Sequence, residues 1–421
     1  MKVTGMHPEA IDLDSCLMEY VKEMKRGLAT SKSILAMLPM YVDFSLSSKP
    51  NRNVIAIDIG GTNLRIASIV WNENGTVTID NLRKYSMPGV TEAISKDKFF
   101  EVLAKLIEPY LTSADSIGIS FAHETRIRPN LDGEVVALAK EVRIKGIEGS
   151  LLGAGLKEAL LRMGHHGIQV AVTNDPVAAA VSGILSPRSE HNVSRCIGLI
   201  LGTGTNSCYC EKRANITKLD NEEENNTTQM FINVESGNYS LIPASEVDIV
   251  FAQQSNDKTV TLEKMIGGRY FGGLYYYALK FAVEKGLFST LFKQYFYRQN
   301  EWSTAEVSHL ARYGCQAAPV LQSDREIMIA IYSLLIQRAG KLVALQIAGA
   351  AVLDGGGRNS HSPLRVVVEG TTFYNLAGLK EYTLYLLSNW LQDRMGIYTE
   401  LLNIDNAVLK GAGIIAFVQD K

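Results

Sequence analysis

The stretch Val54-Ile-Ala-Ile-Asp-Ile-Gly-Gly-Thr-Asn-Leu-Arg-Ile-Ala-Ser-Ile-Val70 decides how this chain is read. Two apolar runs of strand length flank Gly60-Gly61-Thr62-Asn63, which predicts a strand, a tight turn and a second strand. Asp58 and Arg65 stand inside those runs, where a buried charge must be hydrogen-bonded or paired. Such a charge points to binding or chemistry beside the turn.

The same pattern recurs outward from that stretch. Ser116-Ile-Gly-Ile-Ser-Phe121 reads as a strand, as does the run Ile168–Thr173, which ends at Asn174-Asp175-Pro176. Cys196-Ile-Gly-Leu-Ile-Leu201 ends likewise in Gly202-Thr-Gly-Thr-Asn206. Residues 9–38, 98–110 and 157–163 read as helices, the first ending at Pro39. The apolar region 327–353 predicts one long buried helix, or two. Gln337, Arg338, Lys341 and Gln346 interrupt it, which speaks against a membrane span. Ser323-Asp-Arg-Glu326 has capping-box spacing and predicts its start. Polar runs at 71–75, 221–228 and 354–360 read as turns or loops. Alternating strands and helices in both halves predict an α/β protein.

A length of 421 residues predicts two domains. Apolar residues at 46% and charged residues at 20% describe a globular chain. With 42 Lys and Arg against 44 Asp and Glu, nothing points to nucleic acid or to an anionic membrane. The opening MKVTGMHPEAIDLD has no export-signal character. Cys16, Cys196, Cys208, Cys210 and Cys315 contain no CxxC pair and read as reduced packing residues, so a cytoplasmic location is expected.

Three strand ends gather small and polar residues: 60–63, 174–175 and 202–206. Ligands of open α/β sheets sit beyond the carboxyl ends of strands. Glycine turns let backbone N–H groups approach phosphate oxygens, and two such turns could grip a polyphosphate from both sides. Each could equally be a hairpin turn. Asp175 could take a proton from a substrate hydroxyl, as a base in phosphoryl transfer does. It could also belong to an Asn-Asp-Pro turn opening the helix at Pro176, and both readings are compatible. Neither GxGxxG nor GxxxxGK[ST] is present.

Taken in order, these residues resemble the hexokinase family. The similarity runs through Leu38-Pro39-Met-Tyr-Val42, Ile57-Asp-Ile-Gly-Gly-Thr-Asn-Leu-Arg65, Ser120-Phe121, Asn174-Asp175, Leu199–Asn206, Asn233-Val-Glu-Ser-Gly237 and Glu263-Lys-Met-Ile-Gly-Gly268. It closes with Val366-Val-Val-Glu-Gly-Thr371 and Leu409-Lys-Gly-Ala-Gly413. The resemblance implies the two-domain actin-like ATPase (ribonuclease H-like) sugar-kinase fold, with an interdomain cleft. The smaller domain would comprise 53–188 plus 406–421, and the larger 1–52 plus 189–405. The implied activity is ATP-dependent phosphorylation of a hexose 6-hydroxyl, with glucose first and mannose or fructose as alternatives.

By the same resemblance Asp175 is the base. Ser120, Lys140, Asn174, Asn206, Glu235 and Glu263 are the sugar ligands, and Lys140 also offsets charge at the transferring phosphoryl. Gly60, Gly61, Thr62, Asn63, Gly202 and Thr203 cradle phosphate, with Gly370 and Thr371 beside the adenosine. Asp58 faces Mg²⁺ on the nucleotide through water, no residue binds metal directly, and Arg65 steadies the turn. The chain departs from the family's pattern at Ala122, at Leu138-Ala-Lys-Glu-Val142, at Ser236 and at Glu369. Ala139 removes a hydroxyl donor, worth about 1 kcal/mol of sugar binding. Two other classes are open to such a sequence. One is a catalytically weak, sugar-binding regulatory protein; the other is an ATPase or carboxylate kinase of the same superfold.

Overall fold

The computed structural model describes residues 5–42, 52–73, 76–114, 116–138, 142–184, 195–219, 228–314 and 320–419. Its strands are β1 (Leu38–Met40), β2 (Arg52–Ile59), β3 (Asn63–Trp71), β4 (Val77–Ser86), β5 (Ile94–Ser95), β6 (Ser116–Phe121), β7 (Glu124–Ile127) and β8 (Gly133–Ala137). They continue with β9 (Ile144–Lys145), β10 (Gln169–Thr173), β11 (Cys196–Leu201), β12 (Thr205–Lys212), β13 (Gln229–Asn233), β14 (Leu364–Glu369) and β15 (Thr399–Leu402).

Two mixed sheets hold most of these strands, while β5 pairs with β9 and β7 with β8 in two small sheets of their own. The first has the order β10-β6-β2-β3-β4, and the second β1-β13-β12-β11-β14-β15. In the first, β2, β3 and β4 pair antiparallel, while β6 and β10 follow parallel to β2. In the second, β11, β12 and β13 pair antiparallel, while β14 and β15 follow parallel to β11. The two sheets therefore share one plan, a meander extended by parallel strands through helical crossovers.

The helices of the first half are α1 (Leu13–Ala29), α2 (Lys96–Ile107), α3 (Leu152–Arg162) and α4 (Asp175–Ile184). Between the strands of the second sheet lie α5 (Glu246–Ala252), α6 (Leu262–Ile266), α7 (Phe271–Glu284), α8 (Thr290–Phe296), α9 (Thr304–Tyr313) and α10 (Gln322–Asp354). Last come α11 (Thr371–Asn375), α12 (Leu379–Leu386), α13 (Asp393–Met395) and α14 (Ala407–Gln419).

Two expectations from sequence need correcting. The segment 9–38 is not one helix: α1 stops at Ala29, and Leu38–Met40 forms a strand in which Pro39 pairs with Ile232. That strand lies at a sheet edge, where a residue without an N–H is tolerated. The long apolar helix begins at Gln322, ahead of Ser323, and its first turn is capped by the Asp324 carboxylate accepting from Leu321 N at 3.2 Å. Asp324 also accepts from Ser289 N at 2.8 Å, so one buried carboxylate serves the starts of both α10 and α8. Within α10, Arg338 is buried against Asp248, whose carboxylate accepts from Ser245 N and Oγ at the start of α5.

The two sheets meet through two helices. A Cβ on Gly118 of β6 would run into the Ala412 carbonyl of α14, and one on Gly411 of α14 into the Ala178 carbonyl of α4. A Cβ on Gly198 of β11 would run into the Pro176 carbonyl of α4. The layers thus read first sheet, α14, α4, second sheet, and bare glycine backbone sets each spacing. A small cluster of Val54, Ala56, Ala67 and Ile69 with Leu409, Ala412 and Ala416 fills the contact of α14 with the first sheet. This stack delivers the start of α4, and with it Asp175, to the junction of the two sheets.

Candidate functional site

In the first sheet, Asp58 of β2 lies beside Ser120 of β6, and Ser120 beside Thr173 of β10. Asn174 and Asp175 follow directly after Thr173. In the second sheet, Ile200 of β11 stands between Asn206 of β12 and Glu369 of β14. The polar strand ends recognised in sequence therefore share the carboxyl-end edges of two sheets that face one junction.

The glycine turn joining β2 to β3 closes with Gly60 N donating to Asn63 O at 2.9 Å. Nothing crowds Gly61, and the Thr62 and Asn63 side chains are exposed, with Asn63 Nδ2 donating to Thr62 Oγ1 at 2.9 Å. The second turn closes with Gly202 N to Gly204 O at 3.0 Å. Gly268 N and Thr372 Oγ1 donate to Gly202 O at 2.9 and 2.7 Å, and Arg269 N to Thr203 O at 3.0 Å. Thr203 and Thr371 are exposed at this edge. Gly370 has φ 125°, where a Cβ would meet Leu201 O and Gly202 N; only glycine fits there.

Arg65 ties the two sheets together. Its guanidinium lies 2.7 Å from Asp58, 3.0 Å from Glu369 and 3.2 Å from Asn406 Oδ1. Glu369 in turn accepts from Val408 N at 2.8 Å, at the start of α14. Burial pushes the Asp58 carboxyl above the usual range, and Arg65 opposes that shift.

Asn206, Asn233 and Glu235 form one network. Asn206 Nδ2 donates to Asn233 Oδ1 at 2.9 Å and to Glu235 Oε1 at 3.3 Å, and Asn233 Nδ2 donates to Glu235 Oε1 at 2.8 Å. Glu235 sits at φ 57°, ψ 44°, a left-handed conformation that a non-glycine residue adopts only when its surroundings hold it. Glu263 Oε2 accepts from Thr205 N at 3.2 Å. Burial pushes Glu235 up to about 7 and raises Glu263 as well.

Asp175 opens α4. Its carboxyl is held well above the usual range by burial first, then by the charges of Asp58, Glu235 and Glu369. Beside it the buried Ser120 Oγ and Asn174 Oδ1 have no hydrogen-bond partner among the described residues, while Asn174 Nδ2 donates to Phe121 O at 3.4 Å. Buried polar atoms are nearly always satisfied, so these two mark where an outside polar group would sit.

Among the sequence candidates, Asp58, Gly60, Gly61, Thr62, Asn63, Arg65, Ser120, Asn174 and Asp175 gather on the edge of the first sheet. Asn206, Glu235, Glu263, Gly202, Thr203, Gly370 and Thr371 gather on that of the second. Lys140, like Ala139, lies outside the described residues. Asn233 and Asn406 were not singled out in sequence. Asn233 stood within a quoted motif, but nothing local distinguishes a bridging amide; Asn406 has φ 54°, which no residue pattern announces.

Comparison with known proteins bears on the family and the fold. Two hexokinase family models match, one over residues 5–185 and the other over 196–418, the latter more than half of the chain. Hexokinase-1 of Schizosaccharomyces pombe is 29% identical over 269 residues, 61% of this chain and 54% of that protein, so the match spans about half of that relative. Hexokinase-3 of Arabidopsis thaliana is 25% identical over 436 residues, 93% of this chain and 86% of that protein. A hexokinase from Schistosoma mansoni, solved in complex with glucose, superposes with a TM-score of 0.76 at 20% identity, covering 97% of this chain and 96% of the other. Two α/β units of common plan, in the two-domain actin-like sugar-kinase fold and matched over residues 5–185 and 196–418 by these models, assign this chain to the hexokinase family of sugar phosphotransferases.

Proposed function

We propose that the chain is an ATP-dependent hexokinase that transfers the γ-phosphoryl group to the 6-hydroxyl of a hexose, with Asp175 as base and glucose as the leading substrate. One observation carries this reading. A raised carboxyl, Asp175, stands beside unpaired buried acceptor and donor atoms of Asn174 and Ser120, at the edge opposite Asn206, Glu235 and Glu263. A hexose offers only hydroxyls, and this set provides acceptors and donors to match them. Sites built on such pairs reject analogues that lack a hydroxyl.

The residues divide the work. Ser120, Asn174, Asn206, Glu235 and Glu263 would hold the sugar, and Asp175 would accept the 6-hydroxyl proton as the oxygen attacks. The turns 60–63 and 202–203 would present backbone N–H groups to phosphate oxygens, and the open space at Gly61 fits such an approach. Gly370 and Thr371 would border the adenosine. Among the described residues, the acidic groups Asp58, Asp175, Glu235 and Glu369 gather around the guanidinium of Arg65, an acidic lining that suits a nucleotide arriving with Mg²⁺. Bound to the nucleotide, Mg²⁺ neutralises charge on the phosphates. Asp58 would face that ion through water. A smaller lobe of 53–188 with 406–421, closing on a larger one of 1–52 with 189–405, would exclude water from the phosphoryl group.

The test is ATP-dependent formation of sugar phosphate from glucose, mannose, fructose and N-acetylglucosamine by the unsubstituted chain and by Asp175→Ala. Turnover on at least one sugar, falling by roughly 10²–10⁴-fold in the variant, is expected. No turnover on any sugar, with glucose still raising thermal stability, would replace this reading with a sugar-binding regulator.

A further inference from the structure

Beneath the sugar-facing turns lies a residue that the proposed mechanism does not use. Gln346 is fully buried on α10, a helix otherwise lined at that level by Val343, Ile347 and Ala350. Its Oε1 accepts from Ser236 Oγ at 2.7 Å, and Thr205 Oγ1 shares its hydrogen between Ile200 O at 3.0 Å and the same Oε1 at 3.3 Å. Those two residues are the immediate neighbours of Glu235 and Asn206. Thr205 N is also the donor to Glu263 at 3.2 Å, and Ser236 N donates to Asn206 Oδ1 at 3.3 Å. One side-chain amide thus meets the hydroxyls of the residues next to Asn206 and Glu235, and through Thr205 it is one step from Glu263.

Two further observations separate this amide from core filling. Gln346 Nε2 has no hydrogen-bond partner among the described residues, so the position carries a buried donor that a leucine of similar size would avoid. Glu235 occupies the left-handed region, and its strain persists only if neighbouring contacts fix the turn. Ser236 is the residue immediately after it, and its hydroxyl is held by Gln346.

We infer that Gln346 is a positioning residue for the sugar subsite, clamping the turn at Glu235–Ser236 to the turn at Gly204–Asn206 so that Asn206, Glu235 and Glu263 keep one geometry. This rests on the hexokinase reading given above. The amide touches no substrate; it acts through Ser236 and Thr205.

The test compares the full chain with Gln346→Leu, Ser236→Ala and the double variant. In Gln346→Leu the sugar KM rises roughly tenfold, the fold-change of one neutral hydrogen bond, while the KM for ATP stays within twofold. Ser236→Ala raises sugar KM in the same direction, and the double variant is no worse than Gln346→Leu alone, because both remove one clamp. Amide hydrogen exchange at Ser236 and Gly237 quickens in both single variants, a readout independent of turnover. Unchanged sugar KM and unchanged exchange, or equal rises in the sugar and ATP KM values, would overturn the inference. If Gln346→Leu does not fold, Ser236→Ala decides by the same two measurements. Failure of the unsubstituted chain to phosphorylate any hexose would instead refute the activity; exchange in the single variants would still decide the clamp.

Discussion

Replacing Arg65 with Met should destabilise the protein in a pH-dependent way. The guanidinium lies against Asp58, Glu369 and Asn406 at 2.7, 3.0 and 3.2 Å, and its own side chain is 26% exposed. Removing one partner of a fully buried pair costs about 3–5 kcal/mol, because the other charge is left uncompensated. Partial exposure of Arg65 and Glu369 lowers that to roughly 2–3 kcal/mol at pH 8. The sign with pH follows from Asp58, whose folded-state pKa is already raised by burial and would rise further without Arg65. A group with a raised folded pKa contributes stability that is fully present below its unfolded value and is lost as pH rises through the folded one. The deficit of Arg65→Met should therefore be largest at pH 8 and shrink as the pH falls and Asp58 takes up its proton. Urea unfolding followed by circular dichroism at several pH values measures this directly. A deficit under about 0.5 kcal/mol at pH 8, or one that grows on acidification, would refute the reasoning.

Three further outcomes follow from the geometry. Glu235 titrates at about 7, so glucose affinity measured by calorimetry should fall as pH drops from 8 to 6, and Glu235→Gln should bind more weakly with that dependence flattened. Gly370→Ala drives a Cβ into Leu201 O and Gly202 N at φ 125°; it should lower the melting temperature and raise the KM for ATP more than that for sugar. Arg338→Met leaves Asp248 buried and unpaired, at a cost of about 3–5 kcal/mol in denaturant unfolding, and adding Asp248→Leu should restore part of it.

The strand-turn-strand unit at 54–70 was legible because its apolar runs, its glycines and its two charges all agree. That the Asp58 charge needs a partner was legible, but the sequence did not name Arg65 as that partner. That Arg65 also reaches Glu369 and Asn406, more than three hundred residues away, could not be anticipated: no local pattern encodes a contact between sheets. Helix boundaries failed where tertiary pairing overrode periodicity, as when β13 drew Leu38–Met40 into a strand. Gln346 read simply as a polar interruption of an apolar helix, and only the fold places Ser236 and Thr205 against it.

The position of α14 has a consequence for how the protein is made. The cluster of Val54, Ala56, Ala67 and Ile69 is covered by Leu409, Ala412 and Ala416, so strands translated early wait for a helix translated late. About 335 residues separate the end of β3 at Trp71 from the start of α14 at Ala407. At ribosomal speeds of roughly 5–20 residues per second, that delay is on the order of 20–60 seconds. During it the first sheet has one apolar face exposed on the nascent chain, a natural target for chaperones. A transcript truncated shortly before codon 407 would leave that face bare, and its product should aggregate despite having every described strand.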